Sequence, residues 1–388
     1  MDDWLVDAAF RTLGTNYLLP DVMDTLLEFD FNHSDLKFVE RHAFNVSAIS
    51  GTWSKVAAGL KLQVEQAEQS GSPHTAFALR QRLIHALIRS WSVHASAKSG
   101  IELWSRIDQE VDQAINYLKT TKNLEIERVS FRISAGECHG ILRIPANADK
   151  EALNLLVVLP GMDMTKEYFP SLIGYHTDFR DFATISIDPP GHGSSFVKGV
   201  VLSDKNMEEF LSAILKWAND SKSHEFVVGK VGILGIGTSS TYAFRAGLQN
   251  ESLSVVAGFE GGFLFDAPEI LAKQSRMRIS KLATMMNVSP EEVPNLVDQL
   301  GLSNRGKELK VPFLFSVGEH DDLFPKRQIQ RFLDMAKSVH SLNFYEDEGH
   351  VLGKVINESL MTILDQIECC FRGELEGLKS LRVIGKRG

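Results

Sequence analysis

Apolar residues in the first third of the chain recur at helical spacing. Trp53, Val56, Ala57, Leu60 and Val64 form one stripe, and Leu83, Leu87, Ile88 and Trp91 a second. Leu103, Ile107, Val111 and Ile115 form a third. Steps of three and four residues put each set on one helix face. Ser-Gly-Ser-Pro at 70–73 interrupts the pattern as a helix–helix turn does. The spacing predicts a helical region over 1–122, suited to serve as a lid.

Near residue 125 the period changes. Residues 126–133 alternate as an edge strand, and 140–144 follow a Gly-containing turn, which predicts a hairpin. Residues 154–159, 183–187, 230–234, 254–259, 311–317 and 342–345 are largely continuous apolar runs. Strands covered on both faces read this way. Helical stretches separate most of them, which predicts an α/β domain over 123–388 with a mostly parallel, doubly wound sheet. Helical, Met- and Pro-containing sequence at 268–305 breaks the alternation as a lid insertion would.

Composition then removes whole classes of function. At 388 residues the chain exceeds one ordinary core, so a large domain and a smaller one are expected. Forty-one basic against 50 acidic residues give a net charge of −9, with no dense Lys/Arg block. A sequence-independent grip on nucleic acid needs the opposite balance. No apolar run approaches the roughly 18 residues of a membrane span, and MDDWLVDAAF lacks the basic-then-apolar order of a secretory leader. Cys138, Cys369 and Cys370 show no C-x-x-C spacing, so neither a disulfide framework nor a zinc site is expected. A reducing cytoplasm is the expected setting, with no metal or cofactor and a small molecule as the partner.

In parallel sheets the loops at the carboxyl ends of strands hold the chemistry. The stretch 230–247, KVGILGIGTSSTYAFRAG, reads as strand, tight turn and helix, the layout of a G-x-S-x-G nucleophile elbow. Gly235 falls on the first glycine, and the serine slot falls on Gly237. Ser239 in G-T-S-S-T imitates an elbow two residues on. There it would sit in the first helical turn, where Thr238, Ser239 and Ser240 are ordinary capping residues. The loop 160–167, PGMDMTKE, turns at Gly161 so that the Met162 N–H can meet a developing oxyanion. Gly161, Asp163 and Ser239 are candidates for substrate contact. His192 in 188–195, DPPGHGSS, suits a structural hydrogen bond within its turn. In 318–325, GEHDDLFP, Asp321 is the expected acid and Asp322 the one-residue alternative. Glu346-Asp347-Glu348-Gly349-His350 brings His350 to the mouth of the sheet.

These loops together resemble the FrsA-like group of α/β-hydrolases, which includes 2,6-dihydroxypseudooxynicotine hydrolase and fungal polyketide-shortening hydrolases. The resemblance runs roughly from Trp53 to the last helix. It is carried by 160–167, 188–195, 232–247, 318–325 and 348–350. It implies hydrolysis of a C–C or ester bond in a ketone-bearing small molecule, under a helical N-terminal lid. Asp321 and His350 would be the acid and base partners, and Met162 and Thr238 would supply the oxyanion N–H groups. At Gly237 this chain departs from the family, which has serine there. Three readings follow: a base-only enzyme using Asp321 and His350, a ligand-binding relative without turnover, or a serine hydrolase whose nucleophile was removed by mutation. The helical region could equally pair subunits into a homodimer.

Overall fold

The computed structural model describes residues 8, 12, 31–92, 97–122, 124–146, 148–168, 177, 180–220, 225–303, 308–335, 338, 340–378 and 382–384. The chain divides into two compact units, Met1–Ile126 and Glu127–Gly388.

The first unit is helical among its described residues: His33–His42, Val46–Gln69, Pro73–Ser92 and Ala97–Lys122. The stripes seen in the sequence are the buried faces. Trp53, Leu60 and Val64 pack from the second helix, and Leu83, Leu87 and Ile88 from the third. In the fourth helix Trp104, rather than Leu103, fills the core beside Ile107 and Val111, and it stacks on Trp91 at 5.2 Å between ring centroids. The Asn45 side chain caps the second helix by accepting from the Ala48 N–H. Inside the bundle, buried Arg80 donates from Nε to Glu110 at 2.9 Å, and Lys61 reaches the same carboxylate at 2.7 Å. A buried carboxylate is tolerable only when paired in this way.

The second unit is built on a sheet of nine strands. They are β1 Glu125–Ile133, β2 Gly136–Ile144, β3 Leu153–Leu159, β4 Phe182–Ile187, β5 Val228–Ile236, β6 Val255–Phe259, β7 Phe313–Gly318, β8 His340–Tyr345 and β9 Arg382–Ile384. Their order across the sheet is β1-β2-β4-β3-β5-β6-β7-β8-β9. From β4 to β9 all neighbours are parallel, and β2 joins β4 antiparallel. β4, β6 and β7 are buried along their whole length, which accounts for their unbroken apolar runs. β9 has only three residues, too few to show a period in the sequence.

The chain winds one way from β3 to β4 and then back across β3 to β5. Such a reversal opens a crevice above the carboxyl ends of the central strands. The insertion is helical, with Ala267–Leu271, Arg276–Met286 and Val293–Leu300. It is tied to the loop after β4, where the Leu202 N–H donates to the Met285 carbonyl at 2.8 Å.

Candidate functional site

Loops from β3, β5, β6, β7 and β8, neighbours in the sheet, meet at their carboxyl ends. At the centre is the turn after β5. Gly237 has φ +54°, the left-handed region, and opens a 3-10 turn over Gly237–Ser239 that runs into the helix Ser240–Gln249. Gly235 permits the tight return: a Cβ there would stand 2.1 Å from the Ser239 carbonyl oxygen. At Gly237 there is room instead. A Cβ there would stand 3.4 Å from Glu260 Oε2, 3.8 Å from His350 Nε2 and 3.9 Å from the Gly161 Cα, all ordinary contacts.

His350 and Asp321 come together as the strand-end reading expected. Asp321 Oδ1 and Oδ2 lie 3.1 and 3.2 Å from His350 Nδ1. Asp321 is buried and fixed from three more sides, accepting from the N–H groups of Gly261 at 2.8 Å, Leu323 at 2.9 Å and Phe324 at 3.0 Å. Burial disfavours its charge, but the His350 charge and these hydrogen bonds outweigh burial and hold the carboxyl below its ordinary value. Asp322, the alternative, is exposed and 3.2 Å from Arg278 of the insertion.

The His350 side chain is 17% exposed. Burial alone would pull its imidazole down. The charge and hydrogen bond of Asp321, with the carboxyl of Glu260 beyond, prevail and hold it above its ordinary value; Arg278 acts weakly against them. With Nδ1 on Asp321, Nε2 faces the space over Gly237. A histidine oriented by a carboxylate in this way can take a proton at Nε2.

Glu260 was missed in the sequence. It directly follows β6, has φ +65°, and is buried. Burial pushes its carboxyl up to about 8; His350 works against this rise and Asp321 adds to it. The signal is in the sequence: a carboxylate at the end of a core strand, followed by Gly261 and Gly262, as in the other strand-end loops.

The remaining expected residues are distributed as follows. The loop of Gly161 and Met162 borders Gly237 through the Gly161 Cα. Thr238, buried, is the middle residue of that turn. Asp163 is exposed, with Lys281 of the insertion at 4.0 Å. Ser239 has a different part from substrate contact: it is fully buried, and its hydroxyl donates to the Pro160 carbonyl at 2.6 Å, joining the β5 turn to the β3 loop. His192 is buried with Nδ1 3.0 Å from the Pro190 carbonyl, and burial pulls its imidazole down to about 4.

Beneath the β3 loop, buried Asp188 accepts from the Lys166 N–H at 2.8 Å, Lys166 Nζ at 3.0 Å and the Ser194 N–H at 2.9 Å. Lys166 is also 2.6 Å from Glu167. This cluster anchors 160–167 to 188–195. Glu319, His320 and Asp347 could together approach a metal ion, but Glu319 is already paired with Lys326 at 2.9 Å. A cleft of about 400 Å³ lined by Ile270, Lys273, Gln274, Asp322, Pro325 and Arg327 contains none of the site residues.

No family profile matches the sequence, and no curated protein does. Solved structures match in shape. A structure of 2,6-dihydroxy-pseudo-oxynicotine hydrolase superposes with a TM-score of 0.74 at 16% identity, over 92% of this chain and 98% of that one. AbyA5 superposes at 0.64 with 16% identity, over 83% and 89%. Puromycin hydrolase gives 0.52 with 17% identity, over 68% of this chain and 40% of its own. The fold is the α/β-hydrolase fold. At these identities the likeness is one of fold, and function has to be argued from the site. Among the described residues, no helix is long and apolar enough to cross a membrane.

Proposed function

We propose that this chain is an α/β-hydrolase-fold enzyme acting on a ketone- or ester-bearing small molecule without a serine nucleophile. The observation that carries the reading is the His350 imidazole, 3.1 Å from Asp321 at Nδ1 and turned at Nε2 toward the open space above Gly237. His350 takes a proton from water, or from an acidic carbon or hydroxyl of the substrate, and Asp321 stabilises the imidazolium. The N–H groups of Met162 and Thr238 receive the developing oxyanion. Cleavage of a C–C bond next to a ketone fits this set better than ordinary ester hydrolysis. A serine hydrolase stripped of one triad member keeps only about 10³–10⁴-fold catalysis over water. The name of the 2,6-dihydroxy-pseudo-oxynicotine hydrolase supports hydrolysis as the reaction class.

The test is turnover of a panel of aryl ketones, 1,3-diketones and activated esters. His350→Ala is expected to abolish whatever activity the parent shows, and Ser239→Ala to retain most of it. Loss in Ser239→Ala with survival of His350→Ala would overturn the reading. A parent that binds panel members without turning any over would favour the ligand-binding alternative.

A further inference from the structure

We propose that Glu260 is a second catalytic residue of this site, a proton donor that faces His350 across the position where the fold family carries serine. The inference rests on the base role given to His350 above. Three independent features of the molecule support it. Glu260 Oε2 and His350 Nε2 lie 3.4 and 3.8 Å from one point, the site of a Cβ on Gly237, so the two groups flank one space, and an oxygen placed in it closer to both than that point would meet them. The Glu260 backbone is held at φ +65°, and strain of this kind concentrates where a side chain has to be aimed. The carboxyl is buried, and among the described residues only His350 sets a positive charge against that burial, so burial prevails and pushes the carboxyl up to about 8. The charged groups around it are His350, Asp321 and, beyond His350, Arg278. Asp321 is already committed to Nδ1. Glu260 and His350 act on each other through their charges and are expected to titrate as an interacting pair.

This arrangement supplies what a missing serine leaves undone. Water over Gly237 gives a proton to His350 Nε2 as its oxygen bonds to the substrate carbonyl carbon. The bond from that carbon to the leaving group then breaks, and its electron pair goes to the leaving atom, which takes the Glu260 proton. The imidazolium returns its proton to the Glu260 carboxylate, and the site is restored. A leaving carbon that takes its proton as the bond breaks departs as the carbon of a ketone or an arene, so the substrate class favoured is a 1,3-diketone or an aryl ketone.

The experiment combines a titration with kinetics. In protein carrying ¹³C-labelled histidine, NMR follows the His350 imidazole against pH in the parent and in Glu260→Gln. The proposal expects the parent curve to show two coupled steps. In the variant these collapse to one, at lower pH, because a neighbouring negative charge is gone. Identical His350 curves would overturn it. With 1-phenylbutane-1,3-dione as the kinetic probe, Glu260→Gln is expected to lower kcat by about 10²-fold or more, the usual contribution of general acid catalysis, with KM changed by less than about threefold. The alkaline limb of the pH profile near 8 should also disappear. A coupled titration with kcat unaltered would leave Glu260 a structural neighbour and sink its catalytic role. If the probe is turned over by no protein, the proposed function loses support, and the titration still decides whether Glu260 and His350 form the couple.

Discussion

Glu260 is a carboxyl in the wrong place for a surface residue, and its effect should be visible in stability as well as in chemistry. Its carboxyl titrates at about 8 in the fold against an ordinary value of 4.5, because burial disfavours the charge. The native state therefore keeps a proton that the unfolded chain has already lost. The stabilisation is full below about pH 4.5 and is lost as pH rises through about 8. Within that window the unfolding free energy falls by about 1.4 kcal/mol per pH unit from this group. His350, also held above its ordinary value, acts in the same direction and persists in a Glu260 variant. Urea unfolding of Glu260→Gln at pH 5, 6, 7 and 8 is expected to show a shallower decline than the parent. Parallel declines would mean that Glu260 is ionised in the fold at neutral pH. Glu260 carries the same strand-end signal in the sequence as the other loops, but nothing in the sequence shows that it is buried. Its burial is imposed by β6 lying between β5 and β7, a fact of topology.

At the scale of elements, the turn after β5 has kept the form that lifts a side chain out of a sheet. Gly235 lets the chain fold back on Ser239, and Gly237 sits in the left-handed region with space above it. Gly237→Ser is expected to put a hydroxyl beside His350 Nε2 and to raise hydrolysis of a p-nitrophenyl acyl ester well above the parent. The left-handed backbone will cost the variant about 1–3 kcal/mol of stability. A folded variant with no gain would show that the oxyanion side, 160–167, does not complement the turn. Strand-end loops were legible in the sequence because glycine, proline and carboxylate cluster after apolar runs. His350 and the pair Asp321 and Asp322 could be singled out from that alone; which of the two carboxylates meets His350 is seen only in the fold, where Asp321 lies 3.1 Å away. The role of Ser239 could not be read in the sequence, since its bond to the Pro160 carbonyl joins elements 79 positions apart.

For the whole molecule, hydrophobic period gave the two kinds of architecture, helical before about 125 and α/β after it. What it could not give was strand order. Parallel strands of similar composition do not declare their neighbours, and the reversal at β3 that opens the crevice appears only once the sheet is assembled. We propose that this α/β-hydrolase fold presents a base and an acid around a position where a serine is replaced by Gly237. A fluorophosphonate, which reacts covalently with an activated serine and needs no knowledge of the substrate, tests it directly. Mass spectrometry of peptides spanning 230–247 is expected to find the parent unlabelled and Gly237→Ser labelled at position 237. Label on Ser239 of the parent, or none on a folded Gly237→Ser, would contradict the account.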